Sequence, residues 1–339
     1  MATRGVLLIN LGTPSSPSVA DVRRYLREFL SDPRVLDVNA ALRWLLVNLI
    51  IVPFRGPRSA RIYRTLWDGS RFPLLHHGQR LLQLLRERLG RDWEVELAMR
   101  YGEPSISRGL ERLRQASVAS ITALPLFPQY ASCTVGSVHQ QLHEQVSSWE
   151  VMPELRLVSQ FHVHPGMVRA FAERGQRYEA ASYDHVLFSF HGIPQRQILA
   201  ADASSGHCLA SPGCCLVAGD HNRFCYRAQC HRTAEAIASQ LGLATDRYTV
   251  TFQSRLGRQR WATPYTMDTI ERLASTGAKR LLVFCPSFVA DCLETTYEIA
   301  VEANEHFRAV GGEQVQLVEG LNDSREWIEA LADLVTGPR

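Results

Sequence analysis

Short apolar runs recur along the chain at 6–10, 95–100, 121–127 and 155–160, then at 186–190, 248–252, 280–284 and 315–318. Each is about the length of a strand, and the uninterrupted runs at 186–188 and 281–284 read as buried strands. Between most of them apolar positions recur at helical spacing, as at 74–89, 233–241, 266–273 and 294–307. Strands alternating with helices predict an α/β architecture of parallel sheets covered on both faces. Eight strands with a long middle connection divide into two similar four-stranded halves near residue 155. No G-x-G-x-x-G follows the first strand, so a dinucleotide site is poorly supported.

One segment departs from this rhythm. Residues 42–54 read LRWLLVNLIIVPF, interrupted by Arg43, Asn48 and Pro53, and fall short of the ~18 uninterrupted apolar residues of a membrane span. Such a run is a buried helix or an exposed apolar lip. The chain passes almost directly from Met1 into a strand-like segment, so no signal peptide is expected. At 339 residues there is room for two ordinary cores, and 45% hydrophobic with 21% charged residues describes a soluble globular protein. A net charge of +3 does not argue for nucleic acid. Basic residues gather between 55 and 71, which suits an anionic small molecule, a membrane surface or simply a solvated face.

Two strand ends carry the candidate chemistry. His191 stands in SFHGIP (189–194) directly after an apolar run, and residues 288–298, FVADCLETTYE, follow another. Ligands and active residues of open α/β sheets collect at strand ends. A lone imidazole is more often a core group satisfied by backbone, yet one facing carboxylates suits proton transfer or a borderline cation. Asp291, Glu294 and Glu298, spaced by three and four, predict one helical face of like charges. Such repulsion is tolerated where a cation or proton traffic offsets it. The helix dipole offers a plainer reason for Asp291 and Glu294, though less for Glu298.

Five of the eight cysteines fall between 208 and 230 as C-x5-C-C-x9-C-x4-C: Cys208, Cys214, Cys215, Cys225 and Cys230. In a cytosolic chain such crowding points to metal rather than disulfides. Four thiolates suit structural zinc or an iron–sulfur cluster, although the paired C-x2-C of zinc ribbons is missing. Cys133 and Cys285 fit apolar positions and need no function.

These segments, with LINLGTP (8–14), MRY (99–101), LPLFPQY (124–130), SCTVGS (132–137) and QSRLG (253–257) through Trp261, closely resemble the ferrochelatases, which insert ferrous iron into a porphyrin. The resemblance implies two Rossmann-like domains, 1–155 and 156–320, a porphyrin cleft between them, and a last helix within 321–339 that packs back on the first domain. It implies His191 and Glu294 as the catalytic pair that meets Fe2+, with Asp291 and Glu298 as a polar path behind Glu294. Cys292 stands where many members have histidine. Leu11, Tyr101, Trp261 and Phe288 match pocket positions, Arg100 and Ser132 offer polar contacts, and Arg55 and Arg58 match the place for propionate-binding cations.

The resemblance further implies that 42–54 is the apolar lip touching the membrane, in a cytoplasmic, peripherally associated enzyme. Leu11, where coproporphyrin-using forms often carry tyrosine, implies protoporphyrin IX as substrate. Residues 206–219 have no counterpart in shorter members, and some members bind a [2Fe–2S] cluster through such an insert. That favours a [2Fe–2S] cluster on Cys208, Cys215, Cys225 and Cys230 over zinc. The rivals are coproporphyrin as substrate and a heme-binding or iron–sulfur sensor that has lost catalysis.

Overall fold

The computed structural model describes residues 4–217, 219–257 and 259–337. All eight expected strands form. The first sheet comprises β1 (Arg4–Asn10), β2 (Trp93–Met99), β3 (Ser120–Pro125) and β4 (Glu154–Leu157), in the order β2-β1-β3-β4. The second comprises β5 (His185–His191), β6 (Tyr248–Gln253), β7 (Arg280–Phe284) and β8 (Gln314–Leu317), in the order β6-β5-β7-β8. Every pairing is parallel.

The chain divides into two compact units: Met1–Phe127 with Ala131–Ser159 and Leu331–Arg339, and Pro128–Tyr130 with Gln160–Ala330. The first sheet therefore keeps β4, and the division falls after Ser159. The last helix, Arg325–Thr336, contributes to both units. Within the second unit its fully buried Trp327 stacks on Phe161 at 5.9 Å. Within the first, Arg156 donates to the Val335 carbonyl oxygen at 3.1 Å.

Helices cover the sheets, which is why the central strands are apolar on both faces. In the first unit Leu7 and Ile9 of β1 pack with Leu110, Leu113, Val138 and Leu142. In the second, Leu187, Leu281 and Val283 pack with Ile270, Ile299 and Phe307. Truncating a residue such as Phe307 to alanine would cost about 3–5 kcal/mol by cavity formation. In each sheet the first strand in sequence has neighbours added on both sides, so the winding reverses beside it. The crevice at such a reversal is the usual ligand site of an open α/β sheet. His191 is the last residue of β5.

Residues 40–65 form one continuous helix, Ala40–Leu45, a π-turn at Leu46–Ile51, then Val52–Thr65. Pro53 lies within it without breaking it. The wider i→i+5 turn, with the Val52 amide bonded to the Val47 carbonyl, precedes the proline and accommodates its missing N–H. The segment is thereby long and apolar enough to cross a membrane by length and composition alone, with a mean hydropathy of 1.2 and only 17% of the apolar window buried. Trp44, Leu49, Ile50 and Phe54 are exposed, Phe54 by 78%.

Candidate active site

The His191 imidazole is oriented by its own backbone. Its Nδ1 lies 2.7 Å from the Gly192 carbonyl oxygen, which can only accept, so Nδ1 carries the proton and Nε2 the lone pair in the neutral ring. The His191 amide donates to Ser287 Oγ at 3.1 Å, and the Tyr226 hydroxyl donates to the His191 carbonyl oxygen at 2.7 Å. The ring stands 6.1 Å from Phe288 and 6.3 Å from Trp261 by centroids. Trp261 is held by its indole N–H to the Leu256 carbonyl oxygen and by a bridge to Pro194. A Cβ on Gly192 would sit 3.0 Å from the Gln253 carbonyl oxygen and 3.1 Å from the Trp261 ring, so glycine lets the chain turn between them.

The carboxylates differ from the expected single face. The helix anticipated at 294–307 is Leu293–Thr296, then a π-turn at Glu298–Ala303, then Asn304–Ala309. Asp291 precedes all of it, in the loop before the N-cap Cys292, so three-and-four spacing does not place it beside Glu294 and Glu298. Its carboxylate is used instead to close that loop. Oδ1 accepts from the Thr295 hydroxyl and the Gly320 amide, and Oδ2 accepts from the Asn322 side chain at 2.7 Å.

Glu298 is half-buried and accepts from the Ser254 hydroxyl and, at 3.2 Å, from the Gln253 amide nitrogen. Burial, and then the negative charge of Glu294, push its carboxyl up to about 7 despite those two donors. The Cys292 thiol, pushed well up by burial and then by Glu294, remains protonated and donates to the Glu294 carboxylate. The position thus supplies a neutral donor. His191 and the carboxylates are linked through β6: Gln253 is His191's register partner, and its side-chain amide also donates to the Glu294 carbonyl oxygen at 2.8 Å.

The expected sites of the first unit fare unevenly. Leu11 is partly exposed just past β1, where the Tyr101 amide holds its carbonyl oxygen at 2.9 Å. A Cβ on Gly12 would lie 1.8 Å from the Tyr101 carbonyl oxygen, so that position requires glycine. Tyr101 itself is a correction: only 1% exposed, it is core rather than pocket wall, and its hydroxyl donates to Asp32 at 2.8 Å. Burial raises its phenol further. Arg100 is likewise committed, donating to Asp32 at 2.6 Å and to Ser137. Burial alone would raise the Asp32 carboxyl, but Ser137, the Arg34 amide, Tyr101 and Arg100 together hold it below the carboxylate range. Ser132 accepts from Arg34 at 2.8 Å. Arg55 and Arg58 are exposed on the apolar helix.

The cysteines gather in the second unit. Asp202 accepts from the His207 and Cys208 amides at 2.9 and 2.8 Å and sets the turn that presents Cys208. The Cys225 sulfur accepts hydrogen bonds from the Cys215 and Cys208 thiols, and the Cys215 bond above all lowers its pKa to about 6. Cys214 Sγ is 3.7 Å from Cys215 Sγ. Arg227 donates to Cys215 at 3.3 Å and lies 3.9 Å from Cys214. Cys230, expected as the fourth ligand, is fully buried inside the helix Tyr226–Gln240, and burial holds its thiol well above the usual value. Cys214 lies beside Cys215 in the same segment. Among the described residues, no three or more His, Cys, Asp or Glu side chains are arranged to hold a metal ion.

Ser287 and Asp32 were not visible in the sequence, and Ser189 and Tyr226 only as members of motifs. Gln253 and Ser254 were visible only as part of a motif.

The ferrochelatase family model matches residues 3–338. The chain belongs to the ferrochelatase family. A ferrochelatase of Azotobacter vinelandii is 44% identical over 339 residues, covering 100% of both chains, and one from Legionella pneumophila (strain Lens) is 42% identical over 332 residues, covering 98% of both. Among solved structures, SirB from Bacillus subtilis with Fe3+ superposes with a TM-score of 0.56 over 99% of this chain and 96% of that one, at 9% identity. That likeness shows a shared fold. The family is one of metal chelatases, and the chain carries its fold from end to end.

Proposed function

We propose that the protein inserts Fe2+ into protoporphyrin IX to form heme, with release of two protons. The observation that carries this is the strand end of β5. His191 presents an imidazole whose Nδ1–H is spent on Gly192, leaving Nε2 as the proton acceptor, and it has Trp261 and Phe288 beside it as apolar surface. Fe2+ must lose water, two pyrrole N–H protons must leave, and the flat ring must present its lone pairs. His191 Nε2 takes a pyrrole proton. Glu294 meets the metal, and Glu298, titrating near neutrality, accepts and passes protons. Asp291 supports this site by fixing the loop that leads into the helix turn carrying Glu294. Trp261, Phe288 and Leu11 serve as ring contacts, and Arg55 and Arg58 as partners of the propionates. Arg100, Tyr101 and Ser132 act through the Asp32 network that shapes the first unit's strand ends.

The test is an anaerobic assay of purified protein with protoporphyrin IX and Fe2+, following loss of porphyrin and formation of heme. Turnover that disappears in His191→Ala, with porphyrin binding retained, supports the reading. Absence of turnover with either protoporphyrin or coproporphyrin sinks it. Protoporphyrin is the preferred substrate, because the partly exposed Leu11 and the apolar helix disfavour two additional propionates.

The same reading includes a [2Fe–2S] cluster. The donor chemistry suits it, since the buried Cys208 and Cys215 thiols bond to the Cys225 sulfur, which is biased toward thiolate, with Cys214 3.7 Å from Cys215 and a guanidinium beside them. When bound, the cluster supplies a cross-link between residues 208–215 and the start of the next helix. Cys208, Cys215 and Cys225 are three of its ligands. Proximity to Cys215 supports Cys214 as the fourth, while the resemblance implied Cys230. Visible absorbance lost in Cys214→Ser and kept in Cys230→Ser supports Cys214, and the reverse restores Cys230. A colourless, zinc-loaded protein rules against the cluster.

The exposed apolar face of residues 40–54 supports a cytoplasmic enzyme lying peripherally on a membrane surface.

A further inference from the structure

The glutamine at the end of β6 makes three kinds of contact at once. Its Nε2 reaches the Glu294 carbonyl oxygen at 2.8 Å and Glu298 Oε2 at 3.2 Å, while its Oε1 receives the Ser189 hydroxyl at 2.7 Å. The orientation of the carboxamide is determined by chemistry. The Glu294 peptide carbonyl only accepts, so the face turned toward it is the NH2 group, and Oε1 necessarily faces Ser189. Ser189 is fully buried in the middle strand β5, two residues before His191, and lies 2.8 Å from Thr266 Oγ1, which itself lies 3.0 Å from Thr251 Oγ1. A buried hydroxyl chain therefore backs the amide. The amide in turn bridges the helix turn bearing Glu294 and the π-turn bearing Glu298. A break in helical regularity between two working carboxylates leaves their separation undetermined by the helix itself. A bridging donor restores it.

We propose that Gln253 is a positioning residue for metal insertion: locked by Ser189, its carboxamide ties the Glu294 backbone to the Glu298 carboxylate and fixes the spacing of the two acidic side chains. The inference rests on the proposed roles of Glu294 and Glu298. It predicts an effect on turnover rather than on porphyrin affinity, because Gln253 lies behind the carboxylates and is itself only 6% exposed.

The experiment compares Gln253→Leu, Ser189→Ala, Glu298→Gln and the double variant Gln253→Leu/Glu298→Gln in the anaerobic insertion assay, with melting curves to confirm folding. Gln253→Leu should lower kcat about 10- to 100-fold, the range of a lost hydrogen bond to a charged group, with the porphyrin KM changed less than about 2-fold. Ser189→Ala, which leaves the amide in place but frees it to rotate, should give an intermediate loss. The double variant should be no worse than its more impaired parent, because both changes break one linkage. A folded Gln253→Leu enzyme with unchanged kcat, or losses that multiply in the double variant, overturns the proposal. If Gln253→Leu does not fold, Ser189→Ala decides by the same kcat-against-KM criterion. Full activity of Glu298→Gln would instead show that the carboxylate assignment has failed, and the clamp with it; impaired Glu298→Gln beside unimpaired Gln253 and Ser189 variants rejects the clamp alone.

Discussion

Tyr226 donates its hydroxyl proton to the carbonyl oxygen of His191, and the same oxygen atom of Tyr226 lies 3.3 Å from Ser287 Oγ, which receives the His191 amide. The catalytic strand end is thus held on both sides of His191, at its carbonyl by Tyr226 from the first turn of the helix Tyr226–Gln240 and at its amide by Ser287. Removing the hydroxyl in Tyr226→Phe should destabilise the protein by about 1 kcal/mol, read from urea unfolding. It should also lower kcat several-fold without displacing porphyrin. Unaltered stability and turnover would show that Gly192 and Ser287 suffice to hold the imidazole.

Glu298 makes stability depend on pH in a defined direction. Its carboxyl is raised in the folded protein to about 7 from an ordinary 4.5, so between those values the folded state binds a proton that the unfolded state has released. Stability from this group is therefore complete below about pH 4.5 and is lost as pH rises through 7. Glu298→Gln, neutral throughout, should match the parent at the acid end. At pH 8 it should exceed the parent by on the order of 2–3 kcal/mol. Chemical denaturation at both pH values checks this, and equal stabilities at pH 8 would contradict the buried-carboxyl account.

Asp291 is predicted to act on stability before chemistry. Its carboxylate accepts from the Thr295 hydroxyl, the Gly320 amide and the Asn322 side chain, all buried. Asp291→Ala strands three donors and should cost roughly 2–4 kcal/mol. Asn322→Ala should show a smaller loss of the same kind, because one donor to Asp291 and one acceptor of its amide disappear together. A variant that melts normally but fails to insert iron would place Asp291 in the chemistry directly.

The apolar helix should bind bilayers through its exposed face. Phe54→Asp combined with Trp44→Ser should reduce co-sedimentation with anionic vesicles by about 10-fold or more, given the ~1.5–3 kcal/mol associated with burying one large apolar side chain. Turnover with a water-soluble porphyrin should be unchanged. Undiminished vesicle binding would move the contact elsewhere on the surface.

The fold was readable in advance because its central strands are buried on both faces. A strand such as β1, whose residues 5–10 are all buried, leaves an uninterrupted apolar signature. The three acidic residues were misplaced for an equally physical reason. Spacing by three and four implies a common face only in a regular helix, and here Asp291 precedes the helix while a π-turn begins at Glu298. Tyr101 looked like a wall of the site from its motif, but its burial and bond to Asp32 depend on residues 69 and 36 positions away, Asp32 and Ser137, which no local pattern connects. Gln253 shows the same limit. An amide has no periodic signature, and its importance is visible only once its neighbours are.

Three consecutive residues at the head of one helix face three different structures. Cys225 belongs to the thiol group, Tyr226 grips the His191 peptide, and Arg227 spans from Cys215 to the Thr263 carbonyl oxygen in the segment just after Trp261. The consequence concerns protein engineering. The loop 206–219 cannot be excised or lengthened as an independent ornament, because its far end is indexed to the reaction centre residue by residue. A graft that carries the loop into another chelatase must bring Cys225 to Arg227 in unbroken phase, since a one-residue slip would rotate the tyrosine about 100° around the helix axis and leave the imidazole's peptide unheld.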